Sequence, residues 1–83
     1  MKIGKEDFRF GWEEIDITAW YRINDSWARV SMRRNEDFYE VYAHIYRKKE
    51  DVILFRTKDL KECVEWVNGV FGLNDEYVGG ELK

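Results

Sequence analysis

Glu14-Ile15-Asp16-Ile17-Thr18-Ala19-Trp20-Tyr21-Arg22-Ile23, then Asn24-Asp25-Ser26, then Trp27-Ala28-Arg29-Val30-Ser31-Met32-Arg33, alternates apolar with polar or aromatic residues on both sides of a short polar break. A period of two belongs to extended backbone, because successive side chains of a strand leave on opposite faces. Ile15, Ile17, Ala19, Tyr21 and Ile23 share one face, and Asp16, Thr18, Trp20 and Arg22 share the other. The break supplies turn chemistry, since short polar side chains hydrogen-bond their own backbone there. The second run returns Ala28, Val30 and Met32 to the first face and Trp27, Arg29, Ser31 and Arg33 to the second. The two runs together predict an antiparallel hairpin with one apolar side.

The pattern continues toward the C-terminus. Asn35-Glu36-Asp37 turns the chain, and Tyr39, Val41, Ala43 and Ile45 then alternate with Phe38, Glu40, Tyr42, His44 and Tyr46 up to the charged turn Lys48-Lys49-Glu50-Asp51. Val52-Ile53-Leu54-Phe55 is apolar on both sides, so alternation alone does not orient it, and it is expected to be covered on both faces. Asp59 with Glu62 three residues on has the form of a helix start. Leu60, Cys63, Val64, Val67 and Phe71 recur at helical spacing, and Gly69 or Gly72 ends the run. Strands are therefore predicted over 14–23, 27–34, 38–48 and 52–57, with a helix over 59–71. The fold class is α+β: a four-stranded antiparallel β-meander with one C-terminal α-helix packed on its apolar face. Leu60, Val64 and Val67 are expected to rest on Ile17, Val30, Val41 and Ile45.

The flanks carry weaker patterns. Phe8-Arg9-Phe10-Gly11-Trp12 also alternates, so residues 1–13 form either an N-terminal arm or lid or, the preferred expectation, a fifth, edge strand. Residues 73–83, with Gly79-Gly80, read as a polar tail. Eighty-three residues without proline, repeat or linker make a single domain over 1–83, and the 14 aromatics and 45% hydrophobic content supply the core that so short a chain needs. The lone Cys63 makes no internal disulfide. With no long apolar run or secretory leader in view, a soluble, cytoplasmic protein without a membrane span is expected.

Charge is unevenly spread. Residues 22–58 hold nine Lys or Arg against six acids, and the rest of the chain holds five against eleven, giving a net charge of −3. One His and one Cys provide no clustered metal ligands, and no glycine-rich phosphate loop is present, so neither metal nor cofactor is expected. Cys63 within the apolar stripe reads as a small buried hydrophobe. No convergent acid, base and nucleophile appears, and the chain is read as non-catalytic.

The candidate site is the second face of the meander: Trp20, Arg22, Trp27, Arg29, Tyr42 and His44. Two-residue turns at Asp25-Ser26 and Asn35-Glu36 would set Arg22 opposite Arg29, Arg29 opposite Tyr42, Trp27 opposite His44 and Trp20 opposite Ser31. Interleaved Trp, Tyr and Arg on an open face are the residue types that anchor protein interfaces. They are also the types that stack and neutralise single-stranded nucleic acid. Overall acidity favours a protein partner, with nucleic acid the alternative. A homodimer through the sheet face, or coverage of that face by the Phe8/Phe10/Trp12 segment, are the structural alternatives. In size, acidity and the strand–helix ending Leu54-Phe55-Arg56-Thr57-Lys58-Asp59-Leu60, the chain resembles small accessory proteins of phages and mobile elements, some of which inhibit host defence. That resemblance covers a layout and transfers no residue roles.

Overall fold

The chain's four central strands pair in sequence order. In a computed structural model, which describes residues 1–10 and 12–79, β2 (Glu14–Ile23), β3 (Ser26–Asn35), β4 (Phe38–Ile45) and β5 (Glu50–Thr57) form an antiparallel sheet of order β2-β3-β4-β5. Helix α1 (Leu60–Phe71) packs on one face of it. Asp59 caps α1 by accepting from the Lys61 amide at 3.0 Å, while Glu62 accepts from the Thr57 hydroxyl at 2.6 Å. The helix ends at Gly72, whose left-handed φ of 68° suits a residue without a Cβ.

The polar alternation places the core where the strand period requires. Ile17, Val30, Met32 and Val41 are buried together with Leu60, Cys63, Val64 and Val67. Ile45 does not join them; it forms a second small cluster with Ala28 and Ala43 near the other end of the sheet. The expected contact of α1 with Ile45 is thereby corrected, because the sheet extends past the three-turn helix. The apolar run in β5 is explained by a bulge: Val41 pairs with Phe55 but Tyr42 pairs with Ile53, so Leu54 is an extra residue. Both Leu54 and Phe55 pack inward, while Ile53 faces out. The expected cover on both faces of this strand is thus replaced by a break in alternation. β4 stops at Ile45 rather than continuing to 48, since Lys48 and Lys49 fold back to the carbonyls of Ile45 and Tyr46.

The flanks differ most from expectation. Phe8, Arg9, Phe10 and Trp12 do not extend the meander. β1 (Lys2–Gly4) instead pairs in parallel with β6 (Glu76–Val78), beside the main sheet, and a 3₁₀ turn (Lys5–Phe8) follows β1. That turn drops Phe8 into the core, edge-on to Tyr39 with ring centroids 5.4 Å apart. Phe10 and Trp12 stack on each other in solvent. The stretch read as a polar tail is held by Asn68, whose amide group donates to the Asp75 carbonyl and accepts from its N–H, both at 2.9 Å. Leu73 and Tyr77 then pack on the core. Residues 80–83 of the expected tail lie outside the described residues. No helix among the described residues is long and apolar enough to cross a membrane.

Candidate binding face of the sheet

The outer face is built by alternation and aligned by two tight turns. The turn residues are Asn24-Asp25 and Glu36-Asp37, with positive φ at the first of each pair, 56° at Asn24 and 59° at Glu36. Each turn sits one residue earlier or later than expected, and that offset slips the pairing by two while keeping every side chain on its face. Arg22 therefore lies opposite Trp27 and Trp20 opposite Arg29, while Arg29 faces His44 and Ser31 faces Tyr42. The four expected pairs, including the repulsive Arg22/Arg29 contact, are replaced.

Cations now sit over rings along the whole face. Arg22 lies 5.6 Å from the Trp27 centroid, Arg29 5.0 Å from Trp20, Arg33 4.2 Å from Tyr42 and Arg56 4.0 Å from Phe38. Such contacts stabilise by about 0.5–1 kcal/mol each at exposed sites. Arg33 lies over Tyr42 so closely that this ring is only 5% exposed, so Tyr42 belongs to the floor of the face. Trp20 and Trp27, by contrast, remain 48% and 57% exposed, and Tyr46 beside them 60%.

The same arginines are also ion-paired. Arg29 donates from Nε and Nη2 to the two Asp16 oxygens at 2.9 and 2.8 Å. Arg33 donates to Glu40 at 3.0 Å and to Asp51 at 3.3 Å, and Arg56 Nε lies 3.4 Å from the other Glu40 oxygen. His44 Nδ1 lies 2.7 Å from Asp51 Oδ1, the geometry of a nitrogen donating to a carboxylate. Around these groups lies a depression of about 370 Å³ that includes Ser31, Tyr42 and Glu14 in its lining. Asp16, Arg33, Glu40 and Asp51 join this face beyond the six candidate residues. The shifted register puts Arg33 directly opposite Glu40, and correct turn placement would have exposed that pair.

Asp16 also organises the strand edge. Between Asp16 and Ala19 the β2–β3 pairing skips, and Thr18 adopts φ 63°, a conformation that β-branched residues rarely take. Asp16 Oδ1 accepts from the Thr18 N–H at 2.9 Å and so holds this bulge. The Arg29 guanidinium keeps the Asp16 carboxyl below its ordinary value, against desolvation and with help from the Thr18 amide. A carboxyl whose folded value is depressed stabilises the fold above its unfolded value of about 3.9 and loses that contribution as pH falls through the folded value. Acid titration of thermal stability should therefore show a steeper loss below about pH 4 for wild type than for Asp16→Asn. The difference should be modest and should shrink in salt, because the pair is exposed to solvent.

No family model, curated protein or solved structure matches the chain. The face has to be interpreted from its own chemistry. Among the described residues no group of three or more His, Cys, Asp and Glu is placed to hold a metal ion. Burial pushes the Cys63 thiol up to about 12, with nearby Glu62, Asp59 and Glu40 adding to the effect, so it packs as an apolar side chain. The N-terminal segment leaves the tryptophan end of the face uncovered: its one buried aromatic, Phe8, goes to the opposite, inner cluster.

Proposed function

We propose that this chain is a small non-catalytic protein-binding module that engages a partner through the tryptophan end of the outer face, with Trp20 and Trp27 as anchors and Arg22, Arg29, Tyr46 and His44 around them. One observation carries the proposal: two tryptophans stay half-exposed on a sheet whose arginines, Arg22 apart, are already satisfied by the chain's own carboxylates. A phosphate backbone is held by cations with unspent charge. Here Arg29, Arg33 and Arg56 face Asp16, Glu40 and Asp51, so the face is close to neutral and offers shape, rings and hydrogen-bonding edges. Exposed Trp with ordered Arg is the composition of interface hot spots, and a preorganised surface loses little entropy on binding. A binding surface without catalytic groups is the form expected of an accessory or inhibitor protein.

Trp27→Ala is the direct test, since Trp27 contributes to the exposed face and is absent from both buried clusters. Truncating an anchor of this kind typically weakens binding by 2 kcal/mol or more, about thirtyfold, without a matching change in melting. Immobilised wild type should capture a discrete protein from nuclease-treated extract of its native cell, and Trp27→Ala should lose it while melting within a few degrees of wild type. Capture that disappears on nuclease treatment, with binding to a fluorescent oligonucleotide that falls steeply with salt, would identify single-stranded nucleic acid as the ligand instead.

A further inference from the structure

We propose that two copies of this chain pair antiparallel through residues 19–23 of β2, with a two-fold axis at Tyr21, so that one continuous sheet runs through both. The proposal needs no heterologous partner, although Trp20 and Arg22 take part in both readings. β2 is an outer strand of the sheet, and an outer strand presents a row of unpaired N–H and C=O groups to solvent. The other outer strand, β5, is blunted by acids at its start and by the bulge at Leu54. In β2 the bulge and the positive φ of Thr18 disrupt the first half only. Residues 19–23 are regular, contain no proline or inward-pointing charge, and expose Trp20, Tyr21 and Arg22.

The hairpin fixes which backbone groups point outward. Ile23 and Ser26 flank a two-residue turn and form a hydrogen-bonded pair, so alternation along the ladder turns the N–H and C=O of Trp20 and Arg22 away from β3. Antiparallel pairing with a second copy must join outward residues to outward residues, which leaves three two-fold registers. Centring on Trp20 would set Arg22 against the bulged Thr18 of the second copy. Centring on Arg22 would place like charges directly opposite each other, which is unfavourable. Centring on Tyr21 uses only the regular stretch and sets each Trp20 opposite the Arg22 of the other copy, the same cation–ring pairing that the face already uses four times within the chain. Arg22 has no close ion pair, its carboxylate contact being a 3.9 Å approach to the exposed Asp25, so it can turn to the second copy by giving up its contact with Trp27. On the other side Tyr21, itself edge-on to Phe71, would meet its own copy at the axis.

Sedimentation velocity across a concentration series tests the association and cysteine trapping tests the register. Wild type should sediment at twice the chain mass at high concentration. Trp20→Lys, which sets Lys against Arg22, should be monomeric, and Trp20→Glu, which offers Arg22 an ion pair, should remain dimeric, with circular dichroism showing both folded. At the axis the two Tyr21 positions form a non-hydrogen-bonded pair with Cα atoms about 4.5 Å apart, within disulfide range. Mild oxidation should therefore cross-link Tyr21→Cys and spare Trp20→Cys and Arg22→Cys, the native Cys63 being buried. A wild type that stays monomeric at its solubility limit overturns the proposal. So does a dimer that survives Trp20→Lys or cross-links at 20 or 22 rather than 21.

Discussion

Phe8→Ala should destabilise the fold by about 3–5 kcal/mol, the range for deleting a fully buried aromatic ring. Phe8 has no exposed surface and sits edge-on to Tyr39 in the cluster that also holds Ile3, so its loss leaves a cavity. Total stabilities of domains are about 5–15 kcal/mol, so the variant should melt tens of degrees lower or be substantially unfolded at room temperature. Chemical denaturation followed by tryptophan fluorescence gives the number. Phe10→Ala is the companion measurement: Phe10 is half-exposed, stacked on Trp12 and under Arg9, and its truncation should change stability by less than about 0.5 kcal/mol. Equal effects from the two would mean that the N-terminal segment is seated by the wrong ring.

Arg33→Met should cost about 2–4 kcal/mol, because it strands part of the charge of a buried carboxylate. Glu40 is only 3% exposed although it lies on the outer face, and Arg33, Arg56 and Asn35 all turn donors toward its two oxygens. Methionine keeps much of the aliphatic stem over Tyr42 and removes the guanidinium, which separates lost packing from lost charge. The remaining donors are at 3.4 Å, too long to replace the 3.0 Å bond that is removed. Adding Glu40→Gln should recover a large share of the loss, since a neutral amide costs less to bury unpaired than a carboxylate. A double-mutant cycle from urea melts measures the coupling, and strict additivity of the two variants would show that this network contributes no net interaction.

Face assignment along β2, β3 and β4 was legible because the side-chain period is insensitive to where a turn falls. Ile17, Val30, Met32, Val41 and Ile45 are buried as alternation requires. Register was not legible. Asn24-Asp25-Ser26 offers two adjacent ways to make a two-residue turn, and the choice falls to the one that gives Asn24 the positive φ, which asparagine tolerates. At the second turn Glu36 takes the positive φ, and no local preference of glutamate announces it. The candidate site inherits this division. Trp20, Arg22, Trp27 and Arg29 do gather on one face, but His44 is engaged with Asp51 and Tyr42 is roofed by Arg33. Neither cover is visible to a pattern that counts only residues on the same strand. The bulges at Thr18 and Leu54 and the parallel pair of β1 with β6 depend on partners distant in the chain, where single-strand periodicity carries no information.

The pairing of β1 with β6 has a kinetic meaning. It closes a loop that includes nearly every other residue, and it does so with three paired positions on each side. Loop closure becomes more unfavourable only logarithmically with length, but a contact of such long range gains nothing until the intervening chain is already compact. The hairpins β2–β3 and β3–β4, whose partners lie 3 to 19 residues apart, are therefore the natural nucleus, and the clasp of the two flanks forms on a sheet that already exists. Run backward, the same order makes the clasp the first cooperative unit to open, exposing Ile3 and then Phe8 while the meander still holds.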